Sequence, residues 1–591
     1  MHFSSHTRQR AILVAAALLL GFAFRLFFAP IPNTDDDISL QSWSHLVTKI
    51  DIWRIYDREE NQRIFPKILK ESGSPNIFLN HYLYDRDPYL NCNFPPVYFY
   101  ILKCLGHLYQ RFISPTFDET TGYLRLLVIL PAIFADVGIA LLIFLLLRKE
   151  TSFKTSYLVS LLYLFNPATI YMVGYSAKSG VDSIPAFFIF ASVAALVHRR
   201  YLLSWGVFTV GMLTKPQCIV VFPIIFFITW RERGLKGIVK YVAAAGLLSI
   251  LILAPFIYHR RLGKVANVYL QAPGHHPVGG FDRREISLNA YNLWWFFSGG
   301  KGGIRDTGEV LGILNYRTIG LLLFALAYSF IIAYLRKKQS GKSIYLASAA
   351  ASFFFFMLPT EMAERYLLFA LPPLLMIYLQ DRRFRTLYFF LSATFFINLY
   401  LVFPFIPIWP WKALAPVSEV SGAALWLSPG LEHSISIVVA LVNMNILIYL
   451  LHLLLTDLAP GLMKRFRIGK VRFLGKDFAG LPFILGIISL CVGVSVTLLF
   501  RLPEYQISQV HFYRGWSYLS LGWQEEAESE FTEALALDPQ NIPARFQLGN
   551  LYYQRGDFAR AKKEWQQILR IEPSFQPARR ALERLELERH P

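Results

Sequence analysis

Residues 11–37 of the chain read AILVAAALLLGFAFRLFFAPIPNTDDD. The first part is an apolar run of about twenty residues, the length that an α-helix needs to cross a bilayer. Arg8 and Arg10 precede the run, and no clear small-residue cleavage site follows it. The pattern therefore predicts a retained membrane anchor rather than a cleaved signal peptide. The three carboxylates at residues 35–37 come directly after it, at the predicted membrane surface.

The composition of the 591-residue chain is that of a membrane protein. Hydrophobic residues make up 54% and charged residues only 17%, a balance outside the range of ordinary soluble domains. The net charge of +19 does not indicate nucleic acid, because Lys and Arg fall in short clusters between apolar runs rather than on one basic face. The cysteines show no CxxC spacing, so neither a zinc site nor a disulfide scaffold is predicted.

Long apolar runs alternate with short polar loops up to about residue 500. Together with the first run they predict about thirteen transmembrane helices, several of them short. The further runs lie near residues 123–147, 155–173, 183–197, 201–213, 217–230, 238–257, 316–335, 343–358, 366–380, 386–403, 433–455 and 482–500. Residues 95–113 are apolar too, but they contain Lys103, His107 and Arg111, so this segment is predicted to be interfacial.

The loops favour one orientation in the membrane. With the N-terminus in the cytoplasm, every cytoplasmic loop is basic, as the positive-inside rule requires. Those loops are 148–154, 198–201, 231–240, 336–342, 381–385 and 457–476. The long first loop, residues 30–122, is then extracytoplasmic. The basic segments 259–261 and 283–284 lie on the outer side, against the rule.

A repeated pattern begins after residue 500. Gly515, Tyr518, Gly522, Ala527, Phe531, Leu535 and Pro539 recur as Gly549, Tyr552, Gly556, Ala561, Trp565, Leu569 and Pro573. The shift of 34 residues resembles the tetratricopeptide repeat, in which small residues let paired helices touch. We therefore predict a transmembrane domain at residues 1–500 and an extracytoplasmic α-helical repeat domain at 501–591. The repeats are placed at about 508–541 and 542–575, before a final helix at 576–588.

The carboxylates at residues 35–37 are the candidate catalytic groups, since adjacent acids beside a membrane repel one another and are costly unless they are used. In glycosyl transfer a positioned carboxylate can take the proton of the acceptor hydroxyl. A phosphate leaving group needs no protonation, so one base suffices, and single-displacement inversion is favoured. The departing phosphate needs positive charge instead. Candidates on the same predicted side are Lys215, Arg283, Arg284, Arg365 and, less favoured, Lys178.

Several short motifs follow one another across roughly residues 10–400. They are Asp36-Asp37 six or seven residues before Trp43, Asn93-Phe94-Pro95-Pro96, Asp136 in an apolar helix, Asn166-Pro167, Gly180-Val181-Asp182-Ser183, Lys215-Pro216-Gln217, Ser287-Leu288-Asn289-Ala290-Tyr291-Asn292-Leu293-Trp294 and Glu364-Arg365-Tyr366. In this order they resemble the GT-C superfamily of integral-membrane glycosyltransferases. The chain is similar in particular to bacterial mannosyltransferase-like and glucosyltransferase-like members that use polyprenyl-phosphate sugars.

The resemblance implies an all-α, GT-C-like transmembrane bundle and an inverting transferase. The expected reaction moves a hexose, mannose or glucose, from a polyprenyl-phosphate carrier to an extracytoplasmic glycan or lipid-linked acceptor. The first-loop acid is expected to be the general base, Asp36 first and Asp37 second by their spacing from Trp43. The expected substrate-binding residues are Asp182, Asn289, Tyr291, Asn292, Trp294 and Glu364. The resemblance requires no cofactor, although an acidic cluster can hold a divalent cation.

Alternative interpretations stay open for several residues. Asp136 can be the structural partner of a buried Arg, Asp182 a helix cap, Lys215 a snorkelling side chain and Arg365 half of a salt bridge. The aromatic and amide set at residues 289–294 can be an interfacial belt.

The chain as a whole also has alternative functions. One is a protein O-glycosyltransferase whose repeats bind the polypeptide acceptor. Another is a transporter or flippase for lipid-linked sugars, which is disfavoured because the polar residues collect in outer loops rather than midway through broken helices. Because the motifs resemble those of bacterial proteins, we predict a location in the plasma membrane. The repeats are predicted to bind a protein partner.

Overall fold

Helices dominate the computed structural model of this protein. It describes residues 5–28, 35–57, 60–61, 63–64, 67–68, 92, 94–117, 123–174, 181–270, 285–300, 304–310, 312–402, 429–458, 471–473, 476–478, 508, 511–512, 515, 519, 524–573 and 575–589.

The α-helices, in chain order, are α1 Ser5–Phe28, α2 Asp35–Lys49, α3 Pro96–Phe112, α4 Tyr123–Leu147, α5 Phe153–Leu164, α6 Pro167–Gly174, α7 Ser183–Val197, α8 Tyr201–Met212, α9 Phe222–Tyr258, α10 Leu262–Leu270, α11 Leu293–Phe297, α12 Tyr316–Lys337, α13 Gly341–Met357, α14 Leu371–Leu375, α15 Arg382–Val402, α16 Pro429–Leu458, α17 Gln524–Leu537, α18 Ile542–Gln554, α19 Phe558–Ile571 and α20 Gln576–Arg589. The described residues also include the 3₁₀ segments Ile52–Arg54, Pro216–Val221 and Glu364–Ala370. The antiparallel strand pairs described are β1 Glu309–Val310 with β2 Leu314–Asn315, and β3 Val471–Phe473 with β4 Lys476–Phe478.

Membrane-length apolar helices confirm the predicted multi-pass helical architecture. Within the described ranges, six segments are long and apolar enough to cross a bilayer: Thr7–Leu26, Leu126–Leu147, Pro216–Tyr258, Tyr316–Lys337, Arg382–Leu401 and His433–Leu458. The pair α5 and α6, bent by 48°, is a seventh candidate, and α7, α8 and α13 are apolar but shorter. The predicted number of about thirteen spans is not confirmed, and the predicted span 482–500 lies outside the described residues.

Two of the predicted spans meet in α9. This helix has 37 residues and would be about 55 Å long if straight, well beyond the hydrocarbon thickness of a bilayer. Gly234, with φ 63° and ψ −170°, breaks it, and residues 231–236 are all exposed. The predicted runs 217–230 and 238–257 thus lie on either side of a kink that only glycine adopts easily.

The predicted span at residues 366–380 is not one α-helix. The 3₁₀ segment Glu364–Ala370 is followed by the short helix α14, which begins with two prolines, Pro372 and Pro373, in its first turn. A proline has no N–H to donate to the preceding turn and is favoured in the first turn of a helix, so these two prolines favour a new helix start at α14. This buried, irregular stretch carries Arg365 into the interior of the bundle.

A buried ion pair between Arg25 and Asp136 connects α1 to α4. Arg25 Nε donates to Asp136 Oδ2 at 2.7 Å, and both side chains are fully buried. The guanidinium also donates to the Leu164 carbonyl at 2.9 Å and to Thr169 Oγ1 at 3.1 Å, while the Tyr163 hydroxyl donates to Asp136 Oδ1 at 2.7 Å. A buried charge pair is tolerated when its polar atoms are satisfied in this way. Asp136 is therefore the structural partner of a buried Arg in this fold.

Close packing sets the position of α2. A Cβ on Gly106 of α3 would lie 2.9 Å from the Ser44 carbonyl oxygen and 2.1 Å from Thr48 Oγ1, so the two helices can touch only at a glycine. The Ser44 hydroxyl adds a hydrogen bond to the Leu102 carbonyl at 3.0 Å. α3 buries one face and exposes His107 on the other; an interfacial position for this helix stays a prediction.

The C-terminal helices α17 to α20 pack in the manner of the predicted repeats. Gly549 of α18 lies so close to Trp565 of α19 that a Cβ would be 2.6 Å from the indole nitrogen. Ala561 and Trp565 are buried between these helices, and Asn541 caps α18 by accepting from the Ala544 N–H. The small and aromatic positions of the repeat pattern are thus the helix-to-helix contacts.

Candidate active site

Three segments that are distant in sequence meet at one buried carboxylate, Asp182. This residue precedes α7 and is fully buried, and its side chain does not cap the helix. Its Oδ1 accepts a hydrogen bond from Lys215 Nζ at 2.5 Å, and its Oδ2 lies 2.8 Å from Arg365 Nε. The helix-cap alternative therefore does not describe Asp182. Its side chain is a counter-ion shared by two cations, and we call Asp182, Lys215, Arg365 and Glu364 the Asp182 cluster.

Lys215 lies inside the protein rather than at its surface. Its backbone N–H donates to the Gly211 carbonyl at 2.8 Å, just before Pro216 begins a 3₁₀ segment. The side chain is only 6% exposed, so it does not snorkel to the membrane surface. Its ammonium lies 5.0 Å from the centre of the Phe94 ring, whose face stabilises a positive charge.

Arg365 is the more exposed of the two cations in the cluster. Its side chain is 15% exposed, whereas that of Glu364 is 2% exposed. Its Nη1 donates to Glu364 Oε1 at 3.1 Å, so carboxylates on two sides fix the guanidinium. The neighbouring Tyr366 hydroxyl accepts from Gln217 Nε2 at 3.0 Å, which ties this segment to the one that carries Lys215. A planar guanidinium held in one orientation is suited to bidentate contact with a phosphate.

Phe94 also connects the cluster to α2. Its ring contacts the Trp43 ring with a centroid distance of 5.4 Å and an interplanar angle of 72°. Trp43 is buried in α2, and this helix begins at Asp35. The backbones of Asp36 and Asp37 therefore lie about two helical turns before Trp43, roughly 10 Å along the axis. The side chains of these acids lie outside the described part of the chain.

The run from Ser287 to Trp294 lies beside the segment that leads into Glu364 and Arg365. The Leu288 N–H donates to the Met362 carbonyl at 3.0 Å, and Leu288 and Asn289 both form β-bridges with Ala363. Asn289 has φ 63° and Glu361 has φ 61°, so the backbone is left-handed at both positions. Asn adopts this conformation readily, but for Glu it is uncommon and marks a locally strained segment.

Tyr291, Asn292 and Trp294, three of the four predicted sugar-binding residues in this run, are buried, and Asn289 is partly exposed. Asn292 accepts from the backbone N–H of Trp294 and of Trp295 as the cap of α11, and it donates to the Phe356 carbonyl at 3.1 Å. The Trp294 indole donates to the Leu358 carbonyl at 2.7 Å, and Tyr291 is only 5% exposed. These contacts fix the backbone next to Arg365. Sugar contact by Asn289, Tyr291, Asn292 and Trp294 stays a prediction.

Other sequence predictions fall outside the described residues, namely Arg283 and Arg284 as phosphate ligands and Lys178 as a weaker candidate. In the part of the chain that the structure describes, no group of three or more His, Cys, Asp or Glu side chains could hold a metal ion.

Sequence reasoning missed two contributors to the site. Phe94 appeared only as part of the Asn93-Phe94-Pro95-Pro96 motif, and Gln217 only as the residue after Lys215-Pro216. The sequence around Phe94 does not indicate a contact with a cation, because the cation is the Lys215 ammonium from a distant part of the chain. The polar residues of the Asn93-Phe94-Pro95-Pro96 and Lys215-Pro216-Gln217 motifs were the sole sequence signal that pointed to a site at Phe94 and Gln217.

Comparisons with known proteins identify the C-terminal domain. The tetratricopeptide repeat family matches residues 525–585, and a second tetratricopeptide repeat pattern matches residues 508–541. The predicted repeats are thus confirmed. No curated protein matches the chain by sequence. Among solved structures, the chain is similar to the crystal structure of ArnT from Cupriavidus metallidurans in the apo state, with 13% identity and a TM-score of 0.40. The similarity covers 91% of this chain and 81% of that one.

Proposed function

We propose that this chain is an inverting GT-C-type glycosyltransferase of the bacterial plasma membrane. It transfers a hexose, mannose or glucose, from a polyprenyl-phosphate carrier to an extracytoplasmic glycan or lipid-linked acceptor. The observation that supports this most strongly is the Asp182 cluster, in which Lys215 and Arg365 come together from separate segments on one buried carboxylate. Both cations were candidates for binding the donor phosphate from their sequence positions alone.

The cations stabilise the charge that develops on the departing polyprenyl phosphate. Asp182 and Glu364 hold them in one orientation, so little reorganisation is needed when the glycosidic bond breaks. The two carboxylates balance the two cations in charge. Excess positive charge for a bound phosphate comes, in this proposal, from Arg283 and Arg284. Preorganised donors of this kind are typically worth a factor of 100 to 1,000 in rate each, as an order of magnitude.

The general base is Asp36, with Asp37 as the second candidate. The acceptor hydroxyl attacks the anomeric carbon from the face opposite the phosphate, and the carboxylate takes its proton as the new bond forms. The contact between Trp43 and Phe94 supports this assignment, because it connects the helix that begins with these acids to the ring over Lys215. Asn289, Tyr291, Asn292, Trp294 and Glu364 complete the proposed substrate-binding set.

The repeat domain favours a second candidate, a protein O-glycosyltransferase. Tetratricopeptide repeats form elongated helical surfaces that commonly bind other polypeptides, and two patterns of that family match residues 508–585 of this chain. In this version the donor and the chemistry are the same, and the repeats hold a polypeptide acceptor outside the cytoplasm.

A transfer assay tests the proposal. Membranes that contain the protein are supplied with labelled polyprenyl-phosphate-mannose or polyprenyl-phosphate-glucose and with extracts of glycan, lipid-linked and protein acceptors. The wild type should transfer label to one of them. Asp36→Asn combined with Asp37→Asn should reduce the rate by about 100-fold or more, the usual contribution of a positioned base.

Asp35→Asn is the matched control, because it removes a neighbouring charge from the same helix start and is expected to keep transfer. Full transfer by the double variant would show that the base lies elsewhere. No transfer by wild type to any acceptor would contradict the enzyme assignment itself.

A further inference from the structure

Basic residues cluster at the C-terminal end of α9, which the predicted topology places outside the cytoplasm, where the positive-inside rule disfavours them. His259, Arg260 and Arg261 follow the last residue of α9, and Lys264 lies in the first turn of α10. The proposed transfer reaction does not use any of them. Positive charge on the outer side of a membrane protein therefore needs a separate physical reason here.

A buried carboxylate from the first loop holds two of these cations. Lys264 Nζ donates to Asp57 Oδ1, and Arg261 Nη2 lies 3.0 Å from Asp57 Oδ2. Asp57 is 5% exposed, whereas the side chains of Arg261 and Lys264 are 33% and 42% exposed. One buried negative charge thus orients two cations that remain accessible from outside, and the three side chains together keep an excess of positive charge.

An indole ring lies among the same cations. The His259 ring stacks on Trp53 with ring centres 4.1 Å apart and an interplanar angle of 15°. The guanidinium carbons of Arg261 and Arg54 lie 5.7 and 5.3 Å from the centre of the Trp53 ring. Arg54 is neutralised by Glu60 at 2.7 Å. Trp combined with accessible basic side chains is typical of the head-group level of a membrane.

The apolar surface of α9 leads up to this cluster. Leu247, Ile250 and Leu251 are each more than half exposed on the part of α9 after the kink, and Tyr258 at its end is 83% exposed. Apolar side chains in such numbers on the outside of a membrane-length helix contact acyl chains rather than water. A lipid whose tails lie on this face would have its head group at Trp53 and Arg261.

We propose that Arg261, Lys264 and Trp53 form a binding site for the phosphate of an anionic phospholipid in the outer leaflet. The two cations bind the phosphate, the indole lies at the head-group level, and the acyl chains follow the exposed face of α9. The site shares no residue with the Asp182 cluster. Asp57 is its positioning residue, since it fixes the cations without contacting the lipid.

Native mass spectrometry of the full chain in a neutral detergent tests the site. The protein is incubated with equal amounts of phosphatidylglycerol and phosphatidylcholine, and the wild type should retain the anionic lipid in preference. Arg261→Gln combined with Lys264→Gln should weaken this retention by about 25-fold, at about fivefold for each basic residue near a lipid phosphate. Lys562→Gln combined with Lys563→Gln removes the same charge from the repeat domain and should change nothing.

A third substitution separates lipid binding from folding. Adding Asp57→Asn to the double variant removes the carboxylate that would be left buried and unpaired, so the thermal midpoint should return close to that of the wild type while lipid retention stays low. Retention at the wild-type level by this folded triple variant would overturn the proposal, as would a wild type that does not prefer the anionic lipid. Inorganic phosphate that binds as tightly as the lipid would overturn the lipid assignment. The readout is lipid retention, so it is independent of sugar transfer.

Discussion

Replacing Asp182 with Asn removes the charge that Lys215 and Arg365 share and keeps the shape of the side chain. Both cations then lose their common counter-ion in a site where Lys215 is almost fully buried. Removing one partner of a buried ion pair costs about 3–5 kcal/mol. At about 2.1 cal/mol/K of unfolding entropy per residue, the midpoint of a 591-residue chain shifts by roughly 0.8 °C for each kcal/mol, so the thermal midpoint of the detergent-solubilised protein should fall by about 2–4 °C. The transfer rate should fall about 100-fold, since a displacement of about 1 Å of a positioning group has that effect.

Two controls make this result interpretable. Asp381→Asn breaks an ion pair with Arg383 whose side chains are 31% and 51% exposed, so it should cost at most about 1 kcal/mol and leave transfer intact. Asp182→Asn combined with Lys215→Met removes the unpaired ammonium as well, and it should recover most of the thermal midpoint without recovering transfer. If Asp182→Asn keeps both the midpoint and the transfer rate of the wild type, Asp182 is not the shared counter-ion of the site.

Three further predictions concern the scaffold. Arg25→Met or Asp136→Leu alone should lower the free energy of unfolding by about 3–5 kcal/mol, because each leaves one buried charge without its partner. The double substitution should have a thermal midpoint close to that of the wild type and should retain transfer. Loss of transfer in a stable double variant would give Asp136 a role in the chemistry. Gly106→Ala should lower the free energy of unfolding by about 1–3 kcal/mol, because the new Cβ would lie 2.9 Å from a backbone oxygen of α2. A thermal midpoint equal to that of the wild type would refute this close approach of the two helices. Burial raises the pKa of the Cys92 thiol, so maleimide at pH 7.5 should modify the exposed Cys104 and leave Cys92 unmodified until the protein is unfolded, as peptide mass spectrometry can check.

The sequence predicted those parts of the fold that depend on local patterns. Apolar run length gave the membrane helices, and the recurrence of Gly515 as Gly549 gave the repeats, because both signals lie within one or two elements of the chain. The irregular stretch at residues 366–380 was mistaken for a helix although Pro372 and Pro373 were visible. The high average hydropathy of the stretch suggested a membrane helix, but the two prolines lack the N–H groups that a continuous helix uses.

The candidate site was predictable as a set of residues but not as an arrangement. Lys215, Asp182 and Arg365 were each named from the sequence, yet nothing in it pairs residues that are so far apart in the chain. The role of Arg25 was not predictable from its apolar run, because its partner Asp136 lies in α4, far along the chain. The cap that Asn292 forms at α11 was also readable from the sequence, because an Asn just before Leu-Trp-Trp fits the start of a short helix, while sugar binding by Asn292 stays a prediction.

The proposed chemistry is tested most directly by the products of a single reaction. Purified protein in lipid nanodiscs is incubated with a polyprenyl-phosphate-hexose and the acceptor found in the membrane assay, and the products are quantified by mass spectrometry and proton NMR. We expect one polyprenyl monophosphate released for each hexose transferred, with the anomeric configuration inverted relative to the donor, and both products formed at least about 100-fold more slowly by Asp36→Asn combined with Asp37→Asn. Retention of configuration, or sugar transfer without release of polyprenyl monophosphate, would contradict single displacement by a first-loop base.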